Sequence, residues 1–300
     1  MGYALRLATA NGLTFHDLAL HLASPGHLHL PASAIKTIAF MFGCRSDQLQ
    51  RAFVVRRFLD GSQAAQFLDH LFLKTYHLRQ VRPQLCPLCL AETGRARAAW
   101  SVCLLTSCVY HGVRLVDRCA CSRPIRWRRP ALDFCECGVR LTYEQQGARA
   151  ADPRELAISG RIEALLESER FHLLGSAIPN FPPGFENVTI DSFVRLVWIF
   201  GILDDLQIND HPNSANRGLS TPEAAVVACR AYERLISLIS DDPQARKLRF
   251  VASAFHALFE DVTTESDLLL ISQIASRLVK RNASKTLCTI AQLDGQLNLF

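Results

Sequence analysis

Eight residues able to ligate a soft metal fall within positions 86–137. They come as four tight pairs: Cys86-Pro-Leu-Cys89, Cys108-Val-Tyr-His111, Cys119-Ala-Cys121 and Cys135-Glu-Cys137. A tetrahedral structural zinc takes four Cys or His donors, usually from two knuckles whose few intervening residues let a turn aim both donors at one ion. Four knuckles supply two ions. The spacing assigns Cys86, Cys89, Cys108 and His111 to a first site, and Cys119, Cys121, Cys135 and Cys137 to a second. Cys103 is a rival ligand five residues before Cys108, and exchange of knuckles between the sites is compatible with the same spacing. The segment 82–142 has few long apolar runs, so metal is expected to substitute for core. Structural zinc supplies on the order of 10 kcal/mol in small finger peptides. Trp100, Trp127 and Phe134 are the expected apolar plugs beside the sites.

Other chemistry for these cysteines fits less well. A redox Cys86–Cys89 pair needs a strand before it and a helix after it in a βαβ frame, whereas Pro87 follows the first thiol and further knuckles crowd behind. A catalytic zinc keeps one position open for water, and full complements of four argue against that. Eleven cysteines without a secretory leader or a run of roughly 18 apolar residues point to a reducing, cytoplasmic setting rather than a disulfide framework. The remaining single cysteines, Cys44, Cys103, Cys229 and Cys288, read as small core fillers. The sequence shows no phosphate loop, no dinucleotide fingerprint and no carboxylate set of a nuclease. His21, His27 and His29 read as surface-turn residues. The expectation is a chain with no catalytic residues.

Charge is uneven. The whole chain is +5, but residues 79–140 hold eleven arginines and four acids, a balance of +7. Ionised ligand thiolates with their ions lower this to about +4. Arginine forks suit phosphate or carboxylate partners. Arg123, Arg126, Arg128 and Arg129 in the second knuckle region are candidate nucleic-acid contacts.

The flanks read as helical, so the fold class expected is mainly α with a central zinc-ribbon or knuckle module. The domains implied are an N-terminal helical domain (1–80), a double zinc-finger module (81–147) and a C-terminal helical bundle (148–300). At the N-terminus, Thr14 and Asp17 are in capping-box register before Phe15–Leu22. Ser33 precedes an apolar stretch to Phe42, Gly43 breaks it, and Ser46 precedes a second helix expected to run from Asp47 to Phe58. That is helix-turn-helix order, and the second helix would present Arg51, Arg56 and Arg57 to DNA. Farther on, helices are expected over 154–167, 189–206, 221–242, 245–259 and 265–280, with a Pro-rich break at 179–184. Strong strand alternation is not evident outside the knuckles.

The stretch "CPLCLAETGRARAAW…CVYHGVRLVDRCACSRPI…LDFCECGVRL" over 86–141 resembles the TniQ family, which includes the larger TnsD proteins. Residues 2–12 and 33–58 are similar to that family's N-terminal stretch and helical segment. The Cys119 knuckle is CxC where a longer spacing is common. The resemblance implies a non-enzymatic target-selection adaptor of a heteromeric transposon. Such an adaptor would bridge target DNA, or a CRISPR effector complex such as Cascade with its guide RNA, to an AAA+ ATPase regulator, in some systems as a homodimer. The alternative from the residues alone is a zinc-dependent DNA-binding transcription regulator that reads through its helix-turn-helix.

Overall fold

Capping side chains set most of the helix starts. In this computed structural model, which describes residues 1–23, 29–59, 61–166, 181–182, 184–202, 219–240, 248 and 250–281, the chain opens with α1 (Gly2–Ala10) and α2 (Phe15–Leu22). The Thr14 hydroxyl accepts from Asp17 N at 3.3 Å and Asp17 accepts from Thr14 N at 2.7 Å, closing the expected capping box. A short 3-10 turn leads into α3 (Ile35–Met41), and Gly43, at φ +61°, reverses the chain before α4 (Ser46–Arg51).

The second helix is shorter than expected, and three strands follow that the sequence pattern does not announce. The chain leaves α4 at Ala52 and forms β1 (Val55–Leu59), β2 (Ser62–Phe67) and β3 (His70–Phe72), an antiparallel sheet in the order β1-β2-β3. Arg57 lies opposite Ala64, and Phe67 opposite His70. Val-Val-Arg-Arg-Phe-Leu is a β-branched and aromatic run that suits a pleated surface. Leu68 and Asp69, at φ +50° and +66°, make a tight two-residue turn with both central residues left-handed. Arg56 and Arg57 therefore belong to an exposed edge strand and not to a recognition helix.

The middle of the chain holds α5 (Pro87–Thr93), the two-residue strands β4 (Ser107–Cys108) and β5 (Val113–Arg114), and α6 (Tyr143–Gln146). The expectation that metal replaces core here needs correcting. Leu85, Trp100, Val102, Leu104, Leu105, Leu115 and Leu141 are buried in one apolar cluster that continues into both flanks. Trp100 and Trp127 are buried plugs as expected, while Phe134 is half-buried beneath the Arg140 guanidinium, 5.1 Å from its ring centre.

The C-terminal part comprises α7 (Pro153–Leu166), α8 (Ile190–Gly201), α9 (Thr221–Ile239), α10 (Ala252–Glu260) and α11 (Glu265–Arg281). Every residue of α8 is buried, and α7, α9 and α10 pack around it. Its N-terminus is tied by Asp267 of α11, which accepts from Thr189 N at 2.8 Å, Thr189 Oγ1 at 2.6 Å and Ser192 Oγ at 2.8 Å. The helix stops at Gly201, short of the expected Leu206, since Ile202 is already extended; residues 203–206 lie outside the described residues. Helix α10 starts seven residues later than expected, and of its expected start 245–247 and 249 lie outside the described residues, as do His27, Cys288 and residues 179, 180 and 183 of the Pro-rich break. Phe181 and Phe185, on the described side of that break, stack edge-on against Phe193.

Buried polar contacts join this bundle to the middle of the chain. Ser159 Oγ accepts from Thr106 N and Ser107 N, both at 3.1 Å. Arg114 forks onto buried Glu155, with Nη2 donating at 2.8 Å. Gln84 donates to the carbonyls of Trp100, Val102 and Leu105 and accepts from Thr221 Oγ1 at 2.9 Å.

At Gly201, α8 packs tightly on α9: a Cβ there would sit 2.2 Å from the Val227 carbonyl oxygen. Backbone cannot yield as a side-chain tip can, so Gly201→Ala is expected to lower stability by about 2 kcal/mol or more. Chemical denaturation of the two proteins checks this; equal midpoints would refute the close approach.

Candidate metal centres

The first four donors are brought together by a helix start and a turn. Cys86 is the N-cap of α5, and its sulfur accepts from Cys89 N at 3.4 Å. Pro87 occupies the first turn, where no backbone N–H is needed. Cys89, one turn on, faces the same way. Across from them β4 ends at Cys108 and the chain turns back into β5 through Gly112, whose N–H donates to Cys108 O at 2.9 Å at φ +63°. That turn presents His111.

The geometry fits a tetrahedral ion. Zn–S distances of about 2.3 Å set two sulfurs about 3.8 Å apart, and a sulfur and an imidazole nitrogen about 3.5 Å apart. His111 Nδ1 lies 3.5, 3.3 and 3.4 Å from the sulfurs of Cys86, Cys89 and Cys108, and Cys89 lies 3.7 Å from Cys108. The four donors all lie within 4.8 Å of one another. Donors this close cannot all ionise by themselves. Hydrogen bonds from Cys108 and Cys89 pull Cys86 down to about 4, while hydrogen bonds with Cys108 and Cys86 push Cys89 up. A dication relieves that conflict.

Glu92 completes this centre, and the ligand spacing gives no hint of it. Its Oε2 is 2.9 Å from His111 Nε2, the ring nitrogen that points away from the sulfurs. Burial acts to lower the His111 pKa, but hydrogen bonds to Cys108 and Glu92 outweigh it and raise the pKa above its ordinary value. A carboxylate on the far nitrogen fixes the tautomer and the ring orientation of a metal-bound histidine. The signal in the sequence is position: Glu92 follows Cys89 by three, one helical turn along α5.

The second centre is built from two knuckles of the same design. Cys119 N donates to Arg123 O and Ser122 N to Cys119 O, at 2.9 and 2.8 Å. Sixteen residues later, Cys135 N donates to Val139 O and Gly138 N to Cys135 O, at 2.9 and 3.0 Å. The residue after each CxC is left-handed, Ser122 at φ +67° and Gly138 at φ +85°, and each knuckle is closed by a bridge, Arg118 with Pro124 and Phe134 with Arg140. Their sulfurs meet crosswise, Cys119 to Cys137 at 3.7 Å and Cys121 to Cys135 at 3.9 Å. The short CxC spacing works because the partner knuckle faces it in like geometry. Cys121 and Cys137 are exposed, so this centre opens to solvent where the first is enclosed.

Cys103 joins neither group. It is buried with its sulfur 3.9 Å from His77 Nδ1, and burial pushes its thiol up to about 12. Cys44 and Cys229 are only half-buried.

The arginines separate into two kinds. Arg118, Arg123, Arg126, Arg128 and Arg140 lie around the second centre with no ion-pair partner among the described residues, and all five are exposed. Arg129, grouped with them in the sequence, is 4% exposed. Its guanidinium donates to the carbonyls of Ala131 at 3.2 Å, Arg126 at 2.5 Å and Leu132 at 3.1 Å, so it holds the loop and is not available as a phosphate contact. In the N-terminal part, Arg51 pairs with Asp69 at 2.5 Å, Arg57 donates to Gln66 Oε1, and Arg56 is exposed.

These features describe a mainly helical protein with two Cys/His clusters, each able to hold a metal ion and consistent with zinc. The TniQ family model matches residues 1–115; the match takes in the first cluster and ends before the second. No curated protein matches the chain. The family supports a transposition-associated target-selection role. Among the described residues no helix is long and apolar enough to cross a membrane.

Elemental analysis of freshly purified protein is expected to give two divalent ions per chain; one or none would overturn the two-centre geometry. Cys86→Ser is expected to abolish the cooperative unfolding transition of the central region, because it removes both a ligand and the cap of α5. Glu92→Gln is expected to weaken metal retention at the first centre about tenfold in chelator competition, the low end of such outer-partner effects because Glu92 is solvent-exposed.

Proposed function

We propose that this chain is a non-enzymatic adaptor for transposon target selection, acting in the cytoplasm, with two structural zinc ions. In this reading Cys86, Cys89, Cys108 and His111 hold one ion, and Cys119, Cys121, Cys135 and Cys137 the other. Zinc supplies folding free energy by fixing the knuckles. The chain's own residues do the recognition. It links the target, either DNA itself or a CRISPR effector complex with guide RNA, to an AAA+ ATPase that regulates the transposase, alone or as a homodimer.

The observation that carries this reading is the TniQ match over residues 1–115, within which the four donors of the first centre converge. The exposed arginines around the second centre support contact with an acidic partner such as a nucleic-acid backbone. The transcription-regulator alternative loses its reader, since α4 is six residues long and Arg56 and Arg57 stand on a strand.

Two measurements test it. Zinc-loaded full-length protein is expected to co-migrate with the AAA+ ATPase encoded by the same transposon; failure to form any complex would sink the adaptor reading. Duplex binding across a salt series is expected to weaken for the triple variant Arg123→Glu, Arg126→Glu, Arg128→Glu. The log–log salt slope should fall by about one unit for each phosphate that is no longer neutralised. An unchanged slope would mean that this module does not touch DNA and that the target is reached through protein or guide RNA.

A further inference from the structure

A cleft of about 720 Å³ lies between the start of α1, the residues leading into β1, and segments 79–81 and 96–101. Sites of this size hold small ligands or peptide anchors. Much of its wall is apolar, including Leu30, Pro31, Phe53, Val54 and Val81. Its charge has one sign: Arg56, Arg79 and Arg97 line it, and among the described residues no Asp or Glu does. Arg79 and Arg97 are anchored by carboxylates outside the lining, Asp117 at 3.4 Å and Glu163 at 3.1 Å. Arg56 is exposed and has no ion-pair partner among the described residues.

Two further donors belong to lining residues. Trp127 Nε1 and Arg79 Nε are buried and find no acceptor among the described residues. Buried donors in native proteins nearly always have one. A cleft with cationic and N–H donors, without a carboxylate and with apolar walls, lacks an acceptor that arrives with apolar neighbours.

We infer that this cleft receives an acidic peptide from a partner protein, one Asp or Glu carboxylate flanked by apolar side chains. The carboxylate meets Arg56 and the unpaired donors, and the flanking side chains cover Phe53, Val54 and Val81. A duplex backbone does not fit this description, since it offers a convex row of phosphates and no apolar groups to cover such walls. The site is separate from the arginines around the second metal centre, so it stands whether or not those arginines bind DNA.

The test uses the full-length zinc-loaded chain and three probes: acetyl-Leu-Asp-Leu-Phe-amide, the same peptide with Asn for Asp, and adenosine monophosphate. Affinity is read by calorimetry and location by the indole N–H resonances, of which the chain has three; Trp127→Phe identifies the relevant one. The Asp peptide is expected to shift the Trp127 signal and to bind at least fivefold tighter than the Asn peptide. Arg56→Glu, on an exposed strand residue, should weaken it about tenfold, and Val54→Trp should block it by filling the cleft. If Val54→Trp does not fold, Arg56→Glu decides alone. Equal binding of the Asp and Asn peptides overturns the inference, as does full affinity in Arg56→Glu. A Trp127 shift with the nucleotide but with neither peptide overturns it too, and reassigns the cleft to a nucleotide.

Discussion

Everything near the middle of this chain answers to one constraint: eight donors must come within 4.8 Å of one another in two groups of four. Thiols and imidazole do not gather this way through their own attraction. Once ionised they repel, and while neutral they gain little from one another. The turns that bring them together are therefore set by backbone geometry, by left-handed residues at Gly112, Ser122 and Gly138 and by the Cys86 cap of α5. The reward for closing those turns is a metal ion's charge placed among them. Loop conformation and metal coordination are in this sense one event.

Metal alone does not hold the region, because the first centre is set into a shared core. Cys86, Cys89 and Cys108 belong to the same apolar cluster as Trp100 and Leu105, which continues into α8 and α9. The buried polar contacts give that packing its register. Asp117 accepts from Thr221 N at 2.8 Å while also meeting Arg79, and Arg79 donates to Leu219 O at 2.9 Å. Each such group has its partner on an element far away in sequence. A slip of α9 against the knuckles would leave several of them unpaired at once, at about 1–3 kcal/mol for each buried group.

How far this is legible in the residues depends on the range of the interaction. Local signals read well: the Thr14 capping box, the proline-and-acid start of α9, and the pairing of knuckles all depend on residues two to four apart. The strands at 55–72 do not read, because their buried residues Ala64 and Ala65 are small and adjacent and give no alternation. Their second turn uses Leu68-Asp69 in place of the usual Asn-Gly. Glu92 does not stand out because a lone carboxylate on a helix is ordinary until the histidine it faces is placed. The burial of Arg129 is invisible for a similar reason, since Arg128-Arg129 looks like one patch until the loop folds back on the second side chain.

That last pair shows how the surface of the second module gets its character. Residues 125–129 alternate, with Ile125, Trp127 and Arg129 turned inward and Arg126 and Arg128 outward. Arg129 lies 5.3 Å from the Trp127 ring centre and caps three carbonyls, so it acts as a core residue that happens to be charged. Its burial is tolerable because the donors that desolvation would otherwise strand are paired. The outward set has no such partners among the described residues, and its charges sit beside exposed Cys121 and Cys137. A four-thiolate centre with its dication is formally −2, so the metal site itself offsets part of that positive rim. The field such a rim presents is weaker at a distance than an arginine count suggests, and what remains is short-range. That favours contacts made by individual guanidinium forks at the surface over long-range steering.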